Sequence, residues 1–129
     1  MPKKYAGNLI QGPFSDADGI FGKSLPAQEN QYKSGVSLSY RTIHQAGPLP
    51  DEPHSHPFHQ IIAFIGGNPE NIQDFGAEIH VFLGEEKEEH IITDAAVVSI
   101  PPGMLHGIPE VARCDKPVVM LEISTNDSC

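Results

Sequence analysis

Beyond residue 35, the chain contains short stretches in which apolar and polar residues alternate. From 36 to 42, β-branched, aliphatic or aromatic residues hold the even positions, and serine or arginine holds the odd ones. From 77 to 83, aliphatic residues recur at every second position. A period of two is typical of a β-strand with one buried face. Both stretches are therefore predicted strands, with Tyr40 in the core or at the wall of a pocket and Arg41 on the opposite face.

Short apolar runs without a helical period predict four further strands. They cover 60–65, 90–93, 96–100 and 118–123. Glycine, proline and charged residues separate these runs, and the segment 101–109 is expected to be a tight connection. At least six short strands and no long helix indicate an all-β sandwich or barrel. Closing the sheet would also protect its edges.

The first part of the chain follows a different pattern. Residues 1–34 have no sustained period and are interrupted by glycine and proline. We expect them to form an irregular N-terminal arm that contains one short strand or helical turn. The β-barrel is expected to occupy residues 35–129.

Composition narrows the kind of protein. With 129 residues, 39% of them hydrophobic, the chain suits one globular domain. A formal net charge of -9 disfavours binding to nucleic acid and to anionic membranes. Neither a signal peptide nor a membrane span is recognised in the sequence, so a soluble cytoplasmic protein is expected. Two cysteines without metal-site spacing predict no disulfide framework.

Three of the seven histidines lie between positions 54 and 59. His54 and His56 are two residues apart, and on an extended segment this spacing places both imidazoles on one face. Neutral imidazoles that face one pocket can bind a divalent ion. A third ligand from elsewhere would leave coordination positions open for substrate or water. The pair alone is equally compatible with surface histidines in a proline-rich loop.

Two motifs extend this pair. The first is Gly47, six residues, His54-Ser55-His56, three residues, Gln60, six residues, Gly67. The second is Pro101-Pro102-Gly103-Met104-Leu105-His106. In the second motif, the prolines end a strand and the glycine permits a positive φ before the histidine. Together they resemble the cupin superfamily, and more narrowly a group of small single-domain cupins, over residues 36–123. The resemblance implies an all-β double-stranded β-helix, the RmlC-like jelly-roll barrel.

The resemblance also implies a metal site inside the barrel. His54, His56 and His106 would bind one divalent metal ion, with Fe(II) favoured and Mn, Ni or Zn as alternatives. The glutamate usual in the family is replaced here by Gln60, whose amide oxygen brings no negative charge. Glu78 is the alternative fourth ligand and a candidate acid–base group, although the alternation of its strand favours the opposite face as the buried one. A water molecule is the third alternative.

Several functions are compatible with such a site, because one fold hosts many chemistries. A metal held by neutral histidines favours a dioxygenase-like oxidoreductase acting on a small-molecule substrate. A metal-dependent isomerase or decarboxylase, and a non-catalytic cupin that binds or senses a small ligand, are the alternatives. The resemblance further implies a homodimer. His59, beside the first motif, is expected at the surface or in a supporting position.

Overall fold

The computed structural model of the protein describes residues 4–16, 19–26, 35–49 and 52–125. A 3₁₀ helix, Ala6–Asn8, precedes the strands. The strands are β1 (Phe21–Leu25), β2 (Val36–Ile43), β3 (Gly47–Pro48), β4 (Gln60–Gly66), β5 (Ala77–Leu83), β6 (Glu88–Ile92), β7 (Ala96–Ile100), β8 (His106–Cys114) and β9 (Val118–Thr125).

These strands form two antiparallel sheets. The larger sheet has the order β1-β2-β9-β4-β7 and the smaller has the order β3-β8-β5-β6. Both sheets contribute to a single apolar core. Its most deeply buried residues, each at most 1% exposed, include Ile43, Phe64 and Val118 from the larger sheet and Ile79 and Val111 from the smaller. The predicted all-β jelly roll is confirmed.

The six predicted strands are all present, but β8 was not foreseen. It begins at His106, inside the segment 101–109 that was expected to be a tight connection. Pro109 argued against a strand at this position, since proline within a strand is tolerated only at edges and bulges. The pairing of β8 with β5 shifts register between Gly107 and Glu110. The proline therefore sits where the ladder is already irregular.

The residues of β2 alternate between two faces, as predicted, but the apolar face of the strand points outward. Ser39 and Ile43 are buried and share the inner face of the strand with Arg41, because alternate residues point the same way. Tyr40 points to the other side, where its ring lies 6.1 Å from that of Phe14. Tyr40 is not part of the core cluster, so the core prediction for Tyr40 is wrong.

Two connections cross between the sheets. One leads from β3 in the smaller sheet to β4 in the larger and includes residues 52–59. The other, residues 101–105, leads from β7 in the larger sheet to β8 in the smaller. The candidate histidines lie on the first crossover and directly after the second. The two crossovers therefore decide where these side chains meet.

The 3₁₀ helix and β1 both fall within the predicted N-terminal arm. The end of that arm, residues 27–34, lies outside the described residues, as do residues 126–129. The boundary between arm and barrel therefore remains a prediction. In the described part of the chain, no helix is both long and apolar enough to cross a lipid bilayer.

Gly66 offers a test of how tightly the loop after β4 packs. Its amide donates a hydrogen bond to the carbonyl oxygen of Ile72 at 2.8 Å, and a β-carbon at this position would overlap the backbone oxygens of Ile72 and Asp74. Backbone cannot yield as a side-chain tip can, so Gly66→Ala should lower the free energy of unfolding by about 1–3 kcal/mol. Urea denaturation measures this. Gly7→Ala, where a β-carbon meets nothing within 4 Å, is the control, and equal stability of the two variants would contradict the prediction.

Candidate metal centre

Backbone hydrogen bonds hold the two histidine-bearing segments side by side. His54 and His106 exchange N–H···O bonds in both directions, each at 2.8 Å, and form an isolated antiparallel bridge. Gly103 donates a third bond to the carbonyl oxygen of His56 at 2.8 Å. Gly103 has a φ of 83°, as the sequence predicts, and the amide of Met104 closes the turn onto Pro101. This is the arrangement of a turn with proline and then glycine at its centre.

The three imidazoles converge as a consequence. Their ring centroids are separated by 4.5 Å between His54 and His106, 4.8 Å between His54 and His56, and 5.3 Å between His56 and His106. One nitrogen from each ring lies within 4.8 Å of the other two. The ring of His56 also stacks on Phe58, with centroids 4.7 Å apart and planes 9° from parallel. The structure thus brings together the three histidines that the sequence singles out.

Hydrogen bonds at the Nδ1 atoms determine which nitrogen of two rings carries the proton. Nδ1 of His106 lies 3.0 Å from the carbonyl oxygen of Met104, and Nδ1 of His54 lies 2.9 Å from that of Glu52. A carbonyl oxygen only accepts, so each Nδ1 donates and each Nε2 keeps a lone pair. Backbone carbonyls commonly orient metal-binding histidines in this way.

The Nε2 atom of His106 is buried, and among the described residues it has no hydrogen-bond partner. His106 as a whole is only 4% exposed. Leaving a buried acceptor unsatisfied costs about 1–3 kcal/mol, and such groups in folded proteins generally have a partner. A metal ion shared with the other two histidines would satisfy this atom, so the residues fit the implied cofactor.

The histidines open into a cavity of about 460 Å³. Its wall includes side chains from β1, β2, β4, β8 and β9. They are Phe21, Arg41, Leu49, His54, His56, Phe58, Gln60, Ile62, His106, Ile108, Met120, Glu122 and Ser124. The wall is therefore mixed, with apolar, polar and charged side chains.

Gln60 belongs to this wall. It lies at the start of β4 on the same face as buried Ile62 and Phe64, and it is itself 8% exposed. Its amide oxygen is buried, and among the described residues it has no hydrogen-bond donor. Gln60 is thus available as a fourth ligand or as a group that binds the substrate.

Glu78 is not brought to the histidines. Buried Ala77 and Ile79 flank it on β5, so alternation directs Glu78 to the outer face of the smaller sheet. There its carboxylate lies 2.9 Å from Nε2 of His80. The alternative in which Glu78 is the fourth ligand is therefore not supported by the geometry.

The remaining histidines lie elsewhere. The ring of His59 contacts the hydroxyl of Ser99 at 2.8 Å, that of His44 contacts the carbonyl oxygen of Gly19 at 3.0 Å, and that of His90 contacts Glu88 at 2.6 Å. None of these residues lines the cavity. A surface or supporting position was expected for His59, and its contacts agree with that expectation.

Two charged residues of the cavity were not predicted from the sequence as site residues. Glu122 and Arg41 both line it, and both are only partly exposed. Glu122 alternates with buried Val118 and Met120 along β9, which places it on the inner face, but the apolar run 118–123 did not show in the sequence which face is buried. Arg41 was expected on the strand face opposite Tyr40. Because Tyr40 was expected in the core, this expectation did not place Arg41 in the cavity.

The cluster around His80 generates a pH-dependent prediction. The hydrogen bond to Glu78, with the nearby carboxylates of Glu89 and Glu110, raises the pKa of His80 above its ordinary value against the opposing effect of burial. A raised pKa means that the protonated form favours folding. This contribution is complete below the unfolded pKa of about 6.5 and is lost as the pH rises through the folded pKa.

We therefore expect His80→Gln to lower the free energy of unfolding more at pH 5.5 than at pH 9. Denaturant unfolding of both proteins at both pH values measures the difference. A loss of equal size at the two pH values would show that protonation of His80 does not stabilise the fold.

No protein-family model matches the chain, and no curated protein matches it in sequence. Solved structures do match. An RmlC-like cupin from Shewanella frigidimarina has 15% identity and a TM-score of 0.57, over 91% of this chain and 86% of that one.

Two further structures extend the comparison. KdgF from a Halomonas species has 17% identity and a TM-score of 0.54, over 90% of this chain and 88% of that one. The Fe(II) form of HppE has 13% identity and a TM-score of 0.57, over 92% of this chain and 61% of that one. At such identities the likeness concerns the fold alone. The chain has the fold of the RmlC-like cupins, as the resemblance implied.

Proposed function

We propose that this protein is a metal-dependent cupin enzyme acting on a small molecule, with dioxygenase-type oxidation as the favoured reaction. One observation carries the metal site. Three imidazole nitrogens converge within 4.8 Å, and one of them, Nε2 of His106, is buried with no hydrogen-bond partner among the described residues. His54, His56 and His106 are the proposed ligands.

The donor set favours iron among the divalent ions. Imidazole ligands suit iron better than manganese, which prefers oxygen ligands, although they also suit Ni and Zn, so iron is chosen over these two for its redox chemistry. When bound, iron supplies open coordination positions and redox chemistry toward dioxygen, whereas any of these ions supplies Lewis acidity. HppE, which shares the fold, is described in its Fe(II) form, which agrees with this choice.

The surrounding residues have separate proposed roles. The amide oxygen of Gln60 acts as a fourth ligand or accepts a hydrogen bond from the substrate. The carboxylate of Glu122 takes up or donates a proton at the substrate, in place of Glu78. Ile62, Ile108 and Met120 form an apolar part of the wall and exclude water from that side of the cavity.

The predicted homodimer also remains a proposal, and the outer face of the larger sheet supports it. Apolar side chains on β2, β4, β7 and β9 alternate with the inward-facing ones, and Val97 among them is 68% exposed. These outward residues are Leu38, Tyr40, Ile61, Ala63, Ile65, Val97, Val119, Leu121 and Ile123. A contiguous apolar face of this kind is typical of a protein–protein contact.

Sedimentation velocity at micromolar concentration should therefore give the mass of a dimer, and Val97→Glu should shift it to that of a monomer. Because Val97 is exposed, the substitution leaves the core intact. A wild-type protein that sediments as a monomer throughout the concentration range would contradict the proposed dimer.

The metal site is tested by elemental analysis of protein purified without a chelator. His106→Ala removes a ligand whose second nitrogen is fixed by a backbone carbonyl, and it should lower metal content by at least about tenfold. His90→Ala is the matched control, because the ring of His90 is exposed, contacts Glu88 and does not line the cavity. The control should retain the wild-type content.

The same assay distinguishes Gln60 from Glu78 as the fourth ligand. Gln60→Ala should weaken metal binding, whereas Glu78→Gln should leave it unchanged, because Glu78 lies on the outer face. Wild-type protein that is metal-free and cannot be loaded with Fe, Mn, Ni or Zn would overturn the proposed function.

Oxygen uptake by the iron-loaded protein tests the reaction. Catechols, β-diketones and thiols form the substrate panel, and uptake with one of these classes is the expected result. Metal bound without turnover of any substrate would favour the non-catalytic alternative, a cupin that binds or senses a small ligand. Isomerisation or decarboxylation without oxygen uptake would favour the Lewis-acid alternative.

A further inference from the structure

Arg41 places a fixed positive charge in the wall of the cavity. It belongs to the inner face of β2 and pairs with Met120 of β9, which in turn pairs with Phe64 of β4. Both of those partners are buried core residues. The stem of Arg41 therefore begins at the level of the core, and its side chain lines the same cavity as the three histidines.

The guanidinium of Arg41 is held by an aromatic ring. Its Cζ atom lies 4.9 Å from the centroid of the Phe21 ring, which also lines the cavity. A cation over an aromatic face is stabilised by about 0.5–1 kcal/mol or more, depending on how far it is desolvated. This contact orients the head group without using any of its five N–H donors in conventional hydrogen bonds.

Arg41 has no anionic partner among the described residues. The cationic groups that form ion pairs there are those of Lys23, His80, His90, Arg113 and Lys116. Glu122 lies on the same wall, two positions along β9 from the residue that pairs with Arg41, but the two form no ion pair. A partly buried charge without a counterion is unfavourable, and the guanidinium fork matches a carboxylate through two parallel hydrogen bonds.

The charge of the cavity depends on the metal site. Three neutral imidazoles, Arg41 and Glu122 sum to zero. With a divalent ion bound, the sum becomes two positive charges, although the chain as a whole carries a formal net charge of -9. A bound cation often dominates the local field in this way. The loaded cavity is thus a local site for an anion on an acidic protein.

We propose that the substrate is a small organic acid whose carboxylate binds the guanidinium of Arg41. This proposal rests on the proposed metal site, because a second oxygen-bearing group of the same acid would face the ion. The cavity, about 460 Å³, is within the range of roughly 300–1,000 Å³ usual for small-molecule sites. Ile62, Ile108 and Met120 in its wall suit an apolar or aromatic middle part.

A matched pair of ligands tests the proposal by binding alone. The probes are 3,4-dihydroxybenzoate and its amide, which share the diol and the ring and differ in the charge of one group. The protein is loaded with zinc, which has no redox chemistry, so that binding is measured by calorimetry without turnover. We expect the acid to bind at least about tenfold more tightly than the amide, as a charge-assisted hydrogen-bonded pair does.

Variants assign the preference to Arg41. Arg41→Met keeps most of the stem and removes the charge, and it should reduce the acid-to-amide ratio to about one, while the affinity for the amide changes little. Arg41→Lys keeps the charge without the fork and should give an intermediate ratio. Arg113→Met is the control, because Arg113 lies on the outer side of β8 and pairs with Asp115. It should keep the wild-type ratio.

The zinc content of every sample separates the two proposals. If zinc binds to the wild type but the acid binds no more tightly than the amide, or if neither probe binds, the role of Arg41 is overturned and the metal site stands. If no zinc binds to the wild type, the proposed function itself fails. Unchanged zinc content in Arg41→Met shows that the variant is folded and that Arg41 is not a ligand. If that variant still binds the acid as much more tightly than the amide as the wild type does, the proposal is overturned.

Discussion

Two backbone hydrogen bonds between His54 and His106 hold the candidate site together. Each is 2.8 Å long, and they join the first crossover to the start of β8, which is far from it in the sequence. His54 belongs to no strand, so strand alternation alone does not orient its imidazole toward that of His106. The bridge does, because residues directly opposite each other in such a pair project their side chains to the same side. The bond from Gly103 to the carbonyl oxygen of His56 extends the same restraint to the third ring.

Much of this arrangement could be predicted from the sequence. A period of two identified the strands, and the proline-proline-glycine turn before His106 indicated where the third histidine belongs. The glycine has the positive φ that such a turn requires. These features depend on residues that are close together in the sequence, so they can be predicted from it. The resemblance to cupins then supplied the long-range pairing, which no local pattern contains.

The direction of each strand face was harder to predict. Alternation gives the period of a strand but not which face is inside, and the usual assumption that the apolar face is buried fails beside a cavity. On β2 the inner face carries Ser39 and Arg41, while Tyr40 faces outward against Phe14. The outer face of the larger sheet is also apolar, so hydrophobicity does not distinguish the buried face of these strands from the outer one. Strand β8 was not predicted for a different reason, which is the presence of Pro109 within it.

The same strands serve the core at one end and the cavity at the other. Along β4 and β9, Phe64 pairs with Met120, and four residues away Gln60 pairs with Ser124. The inner face thus changes from apolar to polar within two alternations. This gradient explains how an amide and a carboxylate, Gln60 and Glu122, can face inward in a small barrel without disturbing its packing.

The position of the histidines between the sheets has a mechanical consequence. His54 and His56 precede a strand of the larger sheet, whereas His106 begins a strand of the smaller one. An ion held by all three would therefore connect segments that lead into both sheets. Binding to the folded form alone adds stability that grows with the logarithm of the free ion concentration. The stability with which the two sheets hold together would then depend on the supply of metal.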